Sequence, residues 1–455
     1  LIHWLATHPD VYRLLLMVLA ILGLVVAVAR FKWHAFIALL VASLFLGVGA
    51  GLDPPGVVKA FTTGLGNVLG SIALVIALGS VLGKLLVESG AAGKMAATLV
   101  RTPDSPWTPW SLALIAFLVG VPVFFSVGLV LLAPVVFTLA RQTGRSFLGL
   151  SLPVLAGLST VHGLVPPHPG PLAAVELLRA DIGKTIFYSL LVGLPTTLLA
   201  GPWLGKRLAK VGGGEGAGSG GLTQQFVPQA GAQTAPGFWL ALFTSLLPVL
   251  LMLLASAADL AFAKGSAPRA WAGLVGHPVV AMLAATLFSF WSFGSARGFD
   301  RRQLLKFSED SLAPVAQILL VVGAGGGFSA VLTQSGVGDT LARLAGRLEI
   351  PPLLLGWLVA AAMRVATGSA TVAVTTAAGL LGPLVATLPG LNRELLVVAM
   401  GAGSLILSHV NDGGFWMVKE YLNLSLPQTL KTWTVLETVL SLVALGFTLL
   451  LGLVL

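Results

Sequence analysis

Four stretches of an otherwise apolar chain hold residues able to do chemistry. "GLSTVHGLVPPHPGP", Gly157 to Pro171, carries His162 and His168 on either side of Pro166 and Pro167. Histidine is the side chain that titrates nearest neutral pH, so a pair at membrane depth points to proton handling. "SHVNDGGFWMVKEY", Ser408 to Tyr421, carries His409, Asn411 and Asp412 before Gly413 and Gly414, which read as the helix break. Asn411 offers donor and acceptor to a hydroxylated ligand, and a buried Asp412 needs a partner or a proton. Asp412 also suits a helix cap, and Lys419 with Glu420 reads as an interfacial charge pair. In "ATGSATVAVTT", Ala366 to Thr376, the hydroxyls of Thr367, Ser369 and Thr371 and the backbone N–H groups around Gly368 suit a carboxylate. Arg364, just before it, is either a counter-ion to an anionic substrate or a side chain that snorkels to the interface. The fourth stretch, "VPVFFSVG", contains Ser126, Val127 and Gly128.

Metal chemistry has little to work with. There is no cysteine, no HExxH pair and no third ligand at useful spacing, so neither a metal nor a cofactor is expected. Lys84 and Glu88 lie one helical turn apart and are expected to pair.

The elements that position these residues are membrane spans. Of 455 residues, 56% are hydrophobic and 9% charged, against about 25% charged in soluble domains. Apolar runs of span length recur along the whole chain, near 11–29, 34–51, 68–88, 148–178, 184–201, 238–260, 274–294, 312–333, 395–418 and 433–455. The weak ten-residue alternation of a transmembrane barrel is absent. The expected class is therefore an all-α polytopic membrane protein. A net charge of +9 fits cytoplasmic loops and anionic lipid headgroups, and no nucleic-acid partner is expected.

Two apolar blocks, 110–140 and 353–388, are longer than one span and interrupted by small or polar residues. Each reads as two short spans or as a re-entrant hairpin. "VGGGEGAGSGG", Val211 to Gly221, reads as an exposed flexible linker. "GAGGGF", 323–328, completes no dinucleotide fingerprint and suits close helix packing. With the N-terminus outside and both blocks re-entrant, the inside segments hold 15 Lys and Arg and the outside segments 8, as the positive-inside rule favours.

The halves of the chain match at a separation near 244 residues. "LLVESG" at 85–90 answers "VLTQSG" at 331–336, and the block around Ser126 answers that around Gly368 and Ser369. Gly157 aligns with Gly401, His168 with Asp412, Gly170 with Gly414, and Glu176 with Glu420. In the topology above, span 68–88 runs inward and span 312–333 outward, so the repeat is inverted. Inverted repeats with broken helices are an architecture of secondary transporters, in which half-helix N-termini face anionic groups. The organisation expected is N-terminal scaffold spans, 1–60, then a first repeat, 61–201, with its hairpin near 110–140 and its broken helix near 148–178. A glycine-rich cytoplasmic linker, 202–237, and further scaffold spans, 238–306, follow. A second repeat with the last span fills 307–455, with its hairpin near 353–388 and its broken helix near 395–418.

"GLSTVHGLVPPHPGPLAA", "RVATGSATVAVTTAAG" and "SHVNDGGFWMVKEY" strongly resemble the gluconate permease family, the gluconate:proton symporters of the wider ion-transporter superfamily. The resemblance covers nearly the whole chain. It implies proton-coupled uptake of a small hydroxylated carboxylate, gluconate or a related sugar acid, across a bacterial inner membrane. D-serine, which some members take, is the alternative cargo. It further implies a homodimer with an elevator motion, in which hairpins and broken helices move against a scaffold. The first hairpin tip of that family often reads Phe-Phe-acidic-Val-Gly, whereas here Ser126 stands in the acidic place.

The site is expected between the two hairpin tips and the two helix breaks. Ser126, Val127, Gly128, His162, His168, Thr367, Gly368, Ser369, Asn411 and Asp412 are expected to bind substrate, with His162, His168 and Asp412 linked to the proton. Partners are the anionic substrate, protons and the bilayer. An intramembrane hydrolase built on Ser159, His162 and Asp412 is the rival of another class. It lacks a nucleophile elbow and gives the repeat no role, so no enzymatic activity is expected. A passive channel would not need paired broken helices.

Overall fold

The computed structural model describes residues 9–99, 105–211, 235–337, 340, 350–387, 390–409 and 412–455. Among these residues the protein is helical throughout, with no strand. Eight helices are long and apolar enough to cross a membrane. Large apolar side chains such as Leu74, Leu254, Leu287 and Leu450 stand exposed on their outer faces. Such surfaces suit hydrocarbon and would associate in water. Residues 212–234, which take in nearly all of the glycine-rich stretch, lie outside the described residues.

The element order that forms the centre occurs twice. A long helix α1 (Pro54–Glu88) is followed by a helical hairpin, α2 (Thr108–Gly120) and α3 (Phe125–Thr143). A broken helix follows, α4 (Phe147–Leu164) and α5 (Pro169–Leu178). The second set is the long helix α6 (Arg301–Gln334), the hairpin α7 (Pro352–Thr367) and α8 (Ala370–Thr387), and the broken helix α9 (Arg393–Gly403) and α10 (Gly413–Tyr421). The last helix, α11 (Val435–Val454), packs beside the second set. The "LLVESG" and "VLTQSG" matches mark one local structure. Ser89 and Ser335 are the C-caps of α1 and α6, and Gly90 and Gly336 both have φ of +70°. A left-handed residue is the common way to end a helix, and only glycine adopts it without strain.

The long helices cross where side chains are smallest. A Cβ on Gly64 would lie 2.4 Å from the Gly326 carbonyl oxygen, and one on Gly326 would lie 2.7 Å from that of Gly64. Gly325 faces Thr375 of α8 and Gly327 faces Phe61. The "GAGGGF" run is thus a packing surface, as its composition suggested.

Several spans differ from the sequence expectation, among them the one expected at 312–333, which begins at Arg301 behind an Asp300 cap. The first long helix begins at Pro54 rather than near 68. Asp53 caps it by accepting from the Gly56 N–H at 3.0 Å, and Thr62 and Ser71 return their hydroxyls to carbonyls within the helix. Those back-bonds satisfy the two hydroxyls within the helix itself. The span expected to begin at 274 begins at Pro278, because His277 and Pro278 end a separate short helix, Ala267–Val275. In the second broken helix the glycine pair is not the break. The chain leaves the helix at Ser404, and Gly413 and Gly414 open the next helical turn with Asp412 as its N-cap.

Candidate functional site

The hairpin turns and the helix breaks meet at a cavity of about 870 Å³. Pro122 to Val127 enter it from the first turn, and Thr367 to Thr371 from the second. Ser159, His162 and Pro169 come from the first broken helix, and Asp412, Gly413 and Gly414 from the second. Trp433 and Glu437 supply the wall beside the last helix. A second cavity of about 420 Å³, lined by Lys32, Trp33 and His34, shares Gln317, Ile318, Thr367, Ser369 and Thr371 with the first. The turn of the second hairpin therefore forms a wall between the two.

Each break is placed by local sequence. Pro166 and Pro167 lack N–H donors and end α4, whose cap residue Val165 is extended. His168 is then the N-cap of α5, but its side chain makes no cap bond. Its Nε2 instead meets the Gly120 carbonyl oxygen at 2.9 Å, and its Nδ1 lies 3.3 Å from Nδ1 of His162. The two rings stand edge to face, 5.1 Å apart. Two facing Nδ1 atoms can share one proton between them, with the Nε2 of His168 donating to the carbonyl.

Asp412, the counterpart of His168 in the repeat, is also an N-cap, and here the side chain caps. Its Oδ1 accepts from the Gly414 N–H at 2.8 Å. Its Oδ2 accepts from Arg364 Nη2 at 2.5 Å and from the Ser408 hydroxyl. Ser408 in turn accepts from Trp433 Nε1 at 2.7 Å. The Arg364 Nη1 donates to the Gly368 carbonyl at 2.7 Å, so one guanidinium ties the second hairpin turn to the second break. Arg364 is 4% exposed, so it does not snorkel, and the anion it meets here is Asp412. Its Nε makes no hydrogen bond. Buried ion pairs hold only when further hydrogen bonds satisfy both partners, as they do for Asp412.

The sequence-derived site residues divide into three groups. Ser126, Val127, His162, Thr367, Gly368, Ser369 and Asp412 line the cavity together. Gly128 and His168 do not. Gly128 packs on Leu158, where a Cβ would lie 2.5 Å from Cδ2, and His168 faces a small apolar recess with Phe124 and Met282. Asn411 lies outside the described residues. Around the second turn, Gly368 has φ of +75° and Ser369 Oγ accepts from the Val372 N–H at 3.4 Å.

The sequence reading passed over Glu437, a carboxylate 1% exposed on α11 whose Oε1 makes no hydrogen bond. The signal was available: one acid in the apolar run "TVLETVLSLVALG". The charge pairs read as structural are so. Lys84 meets Glu88 at 2.7 Å and Lys419 meets Glu420 at 2.6 Å.

This geometry fits what the chain is similar to. A gluconate permease of Pseudomonas aeruginosa is 52% identical over 446 residues, covering 98% of this chain and 99% of the relative. The high-affinity gluconate transporter of Escherichia coli is 38% identical, covering 97% and 99%. The D-serine transporter DsdX of the same organism is 36% identical, covering 98% and 99%. Among solved structures, the YdaH transporter of Alcanivorax borkumensis matches with a TM-score of 0.64 at 19% identity, over 92% of this chain and 97% of that one, which is a likeness of fold. The model of the GntP family permeases matches residues 12–454. The chain is a multi-pass membrane protein of the GntP permease family, a family of transporters and not of enzymes.

Proposed function

We propose that this permease is a proton-coupled symporter that brings gluconate or a closely related hydroxy-carboxylate into the cell across a bacterial inner membrane. The observation that carries the reading is Arg364, the one buried guanidinium among the described residues, set between the second hairpin turn and the N-terminus of α10 on the wall of one cavity. A substrate carboxylate there gains from three sources: the guanidinium, the N–H groups at the start of α10, and the positive end of that helix. Serine and threonine hydroxyls at both turns suit the hydroxyls of a sugar acid. The names of the relatives favour gluconate over D-serine as cargo.

The motion in this reading is an elevator within a homodimer, with the two sets of hairpin and broken helix inverted relative to each other. Several observations support it. Hairpin helix α2 has 13 residues, a length of about 20 Å against a hydrocarbon core of about 30 Å. His168 and Asp412 occupy the same cap position in corresponding elements. His162 and Asp412 line the cavity and His168 meets His162, so titratable groups are at hand for the proton.

Reconstituted protein tests this directly. Labelled gluconate should accumulate in proteoliposomes under an inward pH gradient and be displaced more strongly by unlabelled gluconate than by D-serine. Accumulation that ignores the gradient removes the proton from the mechanism. Equilibration without accumulation makes the protein a channel.

A further inference from the structure

Glu437 stands in the first turn of α11, buried and yet on the cavity wall. Ser159 of α4 lies beside its carboxyl group, and Arg364 and Asp412 are near enough to act on it electrostatically. His162, on the same cavity, faces the same two charges. The other elements packed on α11 turn their charges elsewhere. Arg393 donates to the Leu178 carbonyl, and Glu394 accepts from the Asp181 N–H. Lys184 and Lys431 are exposed.

Around the cavity floor the described residues thus place two buried carboxylates beside one buried guanidinium. Asp412 takes the guanidinium, a hydroxyl and a backbone N–H. Glu437 keeps an oxygen with no partner at all. An uncompensated carboxylate in a low-dielectric setting is far less favourable than a carboxylic acid. An anion entering the cavity adds a further negative charge a short distance away.

We propose that Glu437 is the group that takes up the proton in exchange with the cavity, so that the binding of an anion and of a proton strengthen each other. The proposal rests on the transport reading above. On the side of entry, water delivers a proton to a Glu437 carboxylate oxygen and an O–H bond forms. On the side of release, the anion departs, that bond breaks and the proton returns to water. The two affinities must change by the same factor, since coupling between binding sites is reciprocal. Of the other carboxylates lining the cavity, Asp412 is tied to Arg364 and Asp310 is exposed, which leaves Glu437 as the buried one without a cation.

The test is gluconate affinity as a function of pH in the full-length protein, with Glu437→Gln and Glu437→Asp alongside. For the unaltered protein, Kd should rise about tenfold or more from pH 6 to pH 8, within the usual span of coupling between sites. Raising the pH removes the proton and leaves two negative charges in apposition, so binding weakens in that direction. Glu437→Gln should flatten this dependence, and Glu437→Asp should keep it with a displaced midpoint. A Glu437→Gln protein that retains the original slope overturns the proposal. So does a Glu437→Asp protein that binds without any slope or does not bind. Infrared titration in the absence of ligand provides a second arm: a carboxylic C=O band should disappear as pH rises and be missing from Glu437→Gln. A band that survives the substitution overturns the proposal. If the unaltered protein binds no gluconate at any pH, the transport reading fails, and the infrared arm still decides the role of Glu437.

Discussion

His168 and Asp412 stand at the same place in two broken helices, each the residue before the first turn of the second half. Around His168 the neighbours are prolines. Pro169 and Pro171 remove two of the N–H groups that a helix start normally presents, and the imidazole turns away to the Gly120 carbonyl. Around Asp412 they are glycines. Gly413 and Gly414 keep their N–H groups, and the carboxylate caps its own helix while holding Arg364. One break is closed upon itself by a hairpin carbonyl. The other presents donors and a positive end to the cavity. The two cap positions thus do different work: one imidazole braces a hairpin carbonyl, and one carboxylate holds the buried arginine.

The sharpest way to break that comparison is Arg364→Ala. It leaves Asp412 buried without its cation, so it should lower stability by about 3–5 kcal/mol and abolish gluconate uptake. Thermal unfolding of the purified protein and proteoliposome uptake measure the two effects. If Arg364→Ala proves no more damaging than a change at His168, the two halves are not specialised as described.

Gly413→Pro would make the second half resemble the first. Proline is accepted at the first helical position, and Asp412 already has the extended backbone that precedes a proline. The helix should survive, while the loss of one N–H toward an anion raises KM by about tenfold or more, the equivalent of about 1.5–3 kcal/mol. An unchanged KM would show that the helix start does not meet the substrate.

His168→Ala acts on the bracing half. It strands the buried Gly120 carbonyl, at about 1–3 kcal/mol of stability. Uptake per folded molecule should hardly change in KM, which a concentration series on protein normalised for folded content would establish. The smallest effect belongs to the far end of the second broken helix. Lys419→Ala removes a largely exposed pair with Glu420 and should change stability by no more than about 0.5 kcal/mol. A larger loss would mean that the charge pair anchors α10.

Much of the site was legible in the sequence because its parts break local rules. Two prolines and two histidines inside an apolar run, or "ATGSAT" inside another, mark places where helix and hydrocarbon are both disfavoured. The correspondence of His168 with Asp412 was readable from spacing alone. Other features were less visible. The glycine pair suggested a break at 413–414, whereas an aspartate cap made those glycines the start of a helix. The span at 68 began at Pro54, since the Asp53 cap and the glycine crossing with the other long helix carry it beyond the apolar run. Glu437 went unread because one acid in a run of thirteen residues, the rest apolar or hydroxyl-bearing, leaves span-scale averages nearly unchanged.

The sequence by itself determined the class, the family, the doubled order of elements and the residues at each interruption. The family rests on likeness to known sequences; the rest follows from hydropathy, from the conformational limits of proline and glycine, and from spacing, all of which act within a few turns of the chain. Only the tertiary structure decided the partners. Arg364 lies 48 residues from Asp412, His168 lies 48 from Gly120, and Glu437 reaches the same cavity from the last helix. Which buried charge is answered and which is left over depends on how separate helices are brought together. That is set by packing at small residues such as Gly64 and Gly326, and no local pattern encodes it.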